Sequence, residues 1–188
     1  VKPTSIRRRL VCSALALAVT GCAFFDTTPP PGPCPRTAIL ADASSLVRFR
    51  DGPGRDLIDV SYVGRLASVT AECKYNLDKK TKTGTMTVTA TVAMGVERGP
   101  ANRDRRADFE YFVTLADAQR QPLEKSVFKV TARFPDNITR LVLTDDPIEL
   151  KIPLKAGQTG RDFIVFVGYQ LTEADLEYNR DRRRELSE

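Results

Sequence analysis

The 188-residue chain contains no histidine and no tryptophan, and aromatic residues make up only 7% of it. Each shortage excludes something. Without histidine there is no imidazole base, no Ser-His or Cys-His nucleophile pair, and no usual nitrogen ligand for zinc. Without tryptophan the largest aromatic platform for a flat ligand is gone. Long apolar runs are scarce too: Leu10 to Val19 is about half of the ~20 residues that span a bilayer, and Asp26, Pro29, Pro30 and Pro31 end any continuation. No motif places a nucleophile on a sharp elbow or beside a base, so the chain reads as non-enzymatic and without a cofactor. Asp145-Asp146 falls far short of the about 6–8 oxygens that calcium takes, and a turn ahead of Pro147 explains it, so no metal is expected.

What is present at the start is an address. Lys2, Arg7, Arg8 and Arg9 precede the apolar stretch and Val19-Thr20-Gly21-Cys22 follows it, which makes residues 1–21 a secretory signal. Branched apolar, small, Gly, Cys resembles the lipobox of bacterial lipoproteins. That resemblance implies a diacylglycerol thioether on Cys22, cleavage just before it and acylation of the new amino group. The competing reading leaves Cys22 an ordinary thiol past a conventional cleavage site. The following Thr27-Thr28-Pro29-Pro30-Pro31-Gly32-Pro33 suits a semi-rigid tether, giving a lipidated Cys and Pro-rich spacer over 22–33. The expected location is the cell envelope, with the protein held to the membrane through Cys22 and facing the periplasm. Ala23 in place of Asp resembles the sorting state for the outer membrane rather than the inner one. Residues 1–21 carry four basic and no acidic side chains, so their removal lowers the net charge from +5 to +1. The basicity is mostly signal, and no nucleic-acid partner is expected.

Cys12 leaves with the signal and Cys22 takes the lipid, which leaves Cys34 and Cys73. In an exported chain two remaining thiols pair. Their separation has neither metal-ligand spacing nor a CxxC arrangement, so a structural disulfide is the expectation.

From about residue 57 apolar residues recur at every second position. Met86, Val88, Ala90, Val92 and Met94 alternate with threonines; Phe109 to Leu115 and Phe128 to Phe134 repeat the pattern across a polar connection at Asp117–Pro122. Val69, Ala71, Cys73, Tyr75 and Leu77 make another strand, with Cys73 on its apolar face. Phe163–Val167 is apolar on both faces, as a central strand would be, and Pro153 marks 148–154 as an edge or strand end. With 57–63 and 141–143 this predicts an all-β, antiparallel immunoglobulin-like sandwich of seven to eight strands over residues 34–171. Thr172-x-x-Asp175 caps a short C-terminal helix that frays into a charged, solvated helix or tail over 172–188.

Two arginine groups stand out. Arg48, Arg50 and Arg55 flank Asp51-Gly52-Pro53-Gly54, and Arg98, Arg103, Arg105 and Arg106 surround Gly99-Pro100. If both loops share one end of the sandwich they make a surface suited to phosphate, carboxylate or acidic protein partners. The alternative is two solvated loops paired internally with Asp51, Asp56, Asp104 and Asp108.

The lipobox, Cys34-Pro35-Arg36, Phe49-Arg50-Asp51-Gly52-Pro53-Gly54-Arg55-Asp56, Cys73-Lys74-Tyr75, Glu97-Arg98-Gly99-Pro100 and Tyr178-Asn179-Arg180 together resemble a family of small uncharacterised alphaproteobacterial lipoproteins. The resemblance implies no activity. The expected function is a protein-interaction module in the envelope with an envelope protein as partner; the alternative is a binding module for a small anionic or glycan ligand.

Overall fold

The computed structural model describes residues 32–185; the signal, Cys22 and most of the tether lie outside the described residues. Nine strands run in the order β1 (Arg36–Ile39), β2 (Ser45–Phe49), β3 (Val60–Leu77), β4 (Gly84–Arg98), β5 (Arg106–Asp117), β6 (Pro122–Arg133), β7 (Arg140–Thr144), β8 (Ile148–Leu154) and β9 (Phe163–Tyr169), followed by helix α1 (Glu173–Glu185). They form two sheets, β1-β9-β5-β6 and β2-β3-β4-β7, with β8 also pairing β4. Every pairing is antiparallel except β1 with β9. The architecture is the expected all-β sandwich.

The core forms where the inner faces meet. Met86, Val88, Val92, Met94 and Val96 of β4 pack with Ala107, Phe109, Tyr111, Val113 and Leu115 of β5, and Val165, Val167 and Tyr169 of β9 join them. The outward residues of β4 up to Thr91 are threonines, and these stay half-buried. Fully burying one such apolar side chain contributes about 1.5–3 kcal/mol, which is why strict alternation fixes strand register here. The Asp117–Pro122 connection joins β5 to β6 as expected: the Asp117 carboxylate accepts from the Gln119 and Gln121 amides at 2.9 and 2.8 Å. β9 lies between β1 and β5, and Pro153 sits on β8, an edge strand.

The count of nine rather than seven or eight is the net of one merger and two additions. Residues 57–63 and 69–77 read as two strands because the apolar parity changes from even (Val60, Tyr62, Leu66) to odd (Val69, Ala71, Cys73). They are one strand with a bulge, since pairing to β4 skips between Leu66 and Ser68. An extra residue flips every side chain beyond it to the other face. Two short strands went unread as well, and β2 shows why. Leu46 joins the core and Val47 is buried on the opposite side, near Tyr178 and Arg182 of α1, so no alternation remains to be seen.

Cys34 and Cys73 are joined, with Cα atoms 5.6 Å apart. The Tyr75 hydroxyl donates to Pro33 O at 2.5 Å and accepts from Gly160 N at 2.7 Å, and a Cβ at Gly160 would lie 2.1 Å from Pro33 O. Residues 33–34 are thus clamped against β3 and the turn before β9.

The C-terminal segment departs from a fraying, solvated end. Thr172 and Asp175 do form the expected reciprocal cap: the Thr172 amide donates to Asp175 Oδ2 at 3.1 Å and the Asp175 amide to Thr172 Oγ1 at 3.2 Å. Beyond it α1 continues for 13 residues and docks. Asn179 Nδ2 donates to Asp42 O at 3.0 Å and Ser45 O at 2.8 Å; Arg180 and Arg183 pair with the Asp42 carboxylate, and Phe49 meets Tyr178 edge-on at 5.7 Å.

The hydrogen bond from Arg180, reinforced by Arg183, holds the Asp42 carboxyl below its ordinary 3.8. A carboxyl so depressed adds stability above its unfolded value and loses it as pH falls through the folded one, so docking persists at about pH 5 and weakens in stronger acid. Asp42→Asn reproduces the protonated state at neutral pH. Amides of residues 176–185 should then exchange with deuterium several-fold faster than in the parent; equal rates would mean that Asp42 does not hold the helix.

Candidate functional site

The loops between β2 and β3 and between β4 and β5 meet at one end of the sandwich. Tyr62 pairs with Arg98 in the ladder, the Gly99 amide donates to Ser61 O at 2.7 Å, and the Ala101 amide to Val60 O at 3.0 Å. A Cβ at Gly99 would stand 2.1 Å from Val60 O, so only glycine allows this approach. Asn102 is buried beneath the second loop and donates to Arg106 O at 2.9 Å.

The first loop is built on an ion pair whose carboxylate, on Asp59, is buried and whose guanidinium, on Arg50, is mostly exposed. Asp59 is 3% exposed; its Oδ1 accepts from Arg50 Nε at 2.6 Å and its Oδ2 from the Asp56 amide at 3.2 Å. A Cβ on Gly54 would fall 2.2 Å from Asp59 Oδ2, so the loop folds directly over this carboxylate. Asp59 turns inward, whereas its neighbours Leu57 and Ile58 point out, 82% and 71% exposed. Isolated apolar residues on a surface are ordinary, but two adjacent ones at a braced tip are an unmet burial gain of about 1.5–3 kcal/mol each.

The seven arginines expected to act together divide into three groups. Arg48 pairs with Asp175 at 3.5 Å, Arg50 with Asp59, Arg105 with Asp136, and Arg106 with Asp108 at 2.6 Å. Arg106 and Asp108 shift each other in the expected directions, the guanidinium up and the carboxyl down, and Thr131 adds to the lowering of Asp108. Arg55 donates to Gly52 O and Gly54 O at 2.9 and 2.7 Å and lies 5.2 Å from the Phe49 ring centroid. Arg98 and Arg103 have no carboxylate partner among the described residues. Of the four acids expected as partners, only Asp108 forms an ion pair. Asp59, Asp136 and Asp175 take the others, and two of these come from distant elements that spacing does not connect.

Arg55 and Arg98 line one hollow of about 290 Å³, but Arg103, Arg105 and Arg106 do not. In their place the hollow holds Arg65, which does not stand out in the sequence, and Arg182, which the sequence places in the charged C-terminal segment. Arg65 occupies the outward face of β3 and Arg182 the last turn of α1. Only the docking of α1 brings them together, so no local signal links them. The hollow continues across the sheet past Val63 and Gly95 into a second of about 490 Å³.

A separate hollow of about 460 Å³ lies between Leu40–Ala43, Phe112 and the start of α1, with Leu171 and Leu176 in its wall. Its two cations are engaged. Lys125 donates to Gln170 Oε1 at 2.9 Å and sits 4.4 Å from the Phe112 ring centroid, and Arg180 holds Asp42.

Among the described residues no three Cys, Asp or Glu side chains gather as metal ligands would, and no helix is long and apolar enough to cross a membrane. The pair Asp145-Asp146 serves the core instead, where Asp145 Oδ2 accepts from the Tyr111 hydroxyl at 2.5 Å and Oδ1 from the Asp146 amide at 3.0 Å. Burial first, and then the Asp145 carboxylate, push the Tyr111 phenol well above its ordinary value. No family model, curated protein or solved structure matches the chain.

Proposed function

We propose that the protein is a non-enzymatic lipoprotein, anchored in the envelope through Cys22 and facing the periplasm from the outer membrane, whose sandwich docks an envelope protein at its loop end. The observation that carries this reading is the polarity of the domain. The N-terminal segment is clamped at Cys73 and Tyr75, whereas the exposed Leu57-Ile58 tip lies beyond the opposite end of β3. Thirteen ladder positions separate Cys73 from Val60, roughly 40 Å at strand spacing. A chain tethered to a membrane by its N-terminus would therefore hold its apolar, arginine-rimmed loops away from the lipid.

Two hollows bear on a small anionic or glycan ligand: one of about 300 Å³ that gathers Arg48, Arg50 and Arg55, all three bonded to acceptors within the protein, and the one beside Phe112. Both cations of the latter also have partners inside the protein, which weakens that reading.

The test is a photocrosslinking amino acid at position 57, with position 80 at the opposite hairpin as control, in the native envelope. The expected result is one reproducible protein adduct from 57 and none from 80, and a Cys22→Ala chain that leaves the membrane fraction. Equal adducts from both positions would sink the interaction reading, and unchanged fractionation would sink the anchor.

A further inference from the structure

Resting on that docking role, the outer face of the β2-β3-β4-β7 sheet names the partner's chemistry. A groove crosses this face from α1 towards β7, floored by Val47 and Val63 and rimmed by Arg65, Arg98 and Arg182, with two carboxylates in its wall, Asp56 and Glu97, the latter held by Arg140 at 3.1 Å. None of these three guanidinium groups has a carboxylate partner among the described residues, whereas Arg48, Arg50, Arg105, Arg106, Arg140, Arg180 and Arg183 all have one. Arg36, Arg103, Arg120, Arg133 and Arg161 form no ion pair among the described residues either but line no part of this groove, and Arg55 in its wall is bonded to backbone carbonyls; the three that share the groove are placed together to meet an outside anion.

Gly95 supplies an independent observation. Ten glycines are described, and nine have a structural reason: Gly52 and Gly157 take a positive φ, and a Cβ on any of Gly32, Gly54, Gly64, Gly84, Gly99, Gly160 or Gly168 would come within 3.0 Å of a neighbour. Gly95 has neither constraint, because its Cβ would meet nothing nearer than Leu141 O at 4.0 Å. It sits mid-strand between Arg65 on β3 and Val142 on β7, and Val142 is 78% exposed. Glycine weakens a strand and marks a bulge or a place where a ligand or another backbone comes close; Gly95 lies one rung from the β3 bulge and has open space above it.

We propose that this groove receives an extended acidic segment of a partner protein. Its backbone lies over Gly95, its apolar side chains rest on Val47, Val63 and Val142, and its carboxylates pair with Arg65, Arg98 and Arg182. Guanidinium forks match carboxylates with two parallel bonds, so the rim selects acidic residues while the floor selects apolar ones between them. A second copy of this chain is disfavoured as the occupant, since it would bring the same unpaired arginines face to face.

The probe is a short fluorescein-labelled peptide of alternating Glu and Val, titrated into the purified full chain by anisotropy. Binding should weaken about tenfold in the Arg65→Ser, Arg98→Ser, Arg182→Ser triple variant and fall steeply with added salt. Peptides with Lys for Glu, or Ser for Val, should bind at least about tenfold more weakly, as a rim and a floor that both contribute require. Gly95→Val fills the groove where there is room for a side chain, so its unfolding midpoint should match or exceed the parent's while peptide affinity falls about tenfold. Affinity unchanged by Gly95→Val, or equal binding of the Lys peptide, overturns the proposal. Should that happen while position 57 still crosslinks, the docking role stands and only the assigned chemistry fails; loss of both removes the role as well.

Discussion

Replacing Cys34 and Cys73 together by serine should lower the unfolding free energy by about 4 kcal/mol, read from urea denaturation of the oxidised parent beside the variant. The bridge spans a sequence separation of 39 residues, and closing a loop of that length in the unfolded chain is worth about 3.5–4 kcal/mol on the chain-entropy account. Against a typical domain stability of about 5–15 kcal/mol, that is a large share. The remaining ties on this segment are slight: four ladder positions between β1 and β9, the Tyr75 hydroxyl on Pro33, and the Thr37 hydroxyl donating to Val69 O at 3.2 Å. Reducing agent should shift the parent's midpoint to that of the variant. A loss below about 1 kcal/mol would show that the unfolded chain is compact enough to gain little from the link.

Position 169 should give opposite results for two substitutions. Tyr169 is fully buried beneath the ladder, with its ring edge-on to Phe109 at 5.6 Å and its hydroxyl over Gly64, where a Cβ would stand only 2.7 Å away. Tyr169→Ala removes a large core ring and should cost about 3–5 kcal/mol. The hydroxyl has no hydrogen-bond partner among the described residues, and burial drives its phenol well above the ordinary value. An unpaired buried hydroxyl carries a desolvation cost of about 1–3 kcal/mol, so Tyr169→Phe should raise stability by about 1 kcal/mol. Thermal and urea unfolding of both variants read the two signs directly. A destabilised Tyr169→Phe would point to an ordered water that bonds the hydroxyl.

How far the sequence could be read depends on which faces each strand buries. β4 and β5 are central to their sheets, and their alternation placed Met86 to Met94 and Phe109 to Leu115 in the core without further information. Thr172-x-x-Asp175 was legible because a cap is a local interaction. β3 was split in two because a bulge reverses parity, and β2 was invisible because α1 covers its second face. The site fared in the same way. The two loops meet at one end, a condition the sequence leaves open, and membership of the groove depends on residues as far apart as Arg65 and Arg182. Arg65 carries no mark in its own neighbourhood, Arg182 only that of a charged C-terminal run, and Arg105 and Arg106 stand out in the sequence but are taken up by Asp136 and Asp108.

The clamp at residues 33–34 also decides how the domain bears tension. A pull arriving along the tether reaches Cys34 before it reaches β1, and the covalent link passes the load to Cys73, in the interior of the longest strand. From there it spreads into the β3-β4 ladder, which runs from Tyr62–Arg98 to Leu77–Gly84. β1, with only four paired positions, is bypassed. The loop end lies at the far end of this same ladder, so a load entering at Cys73 is shared over the intervening rungs before it reaches Arg65 and Gly95.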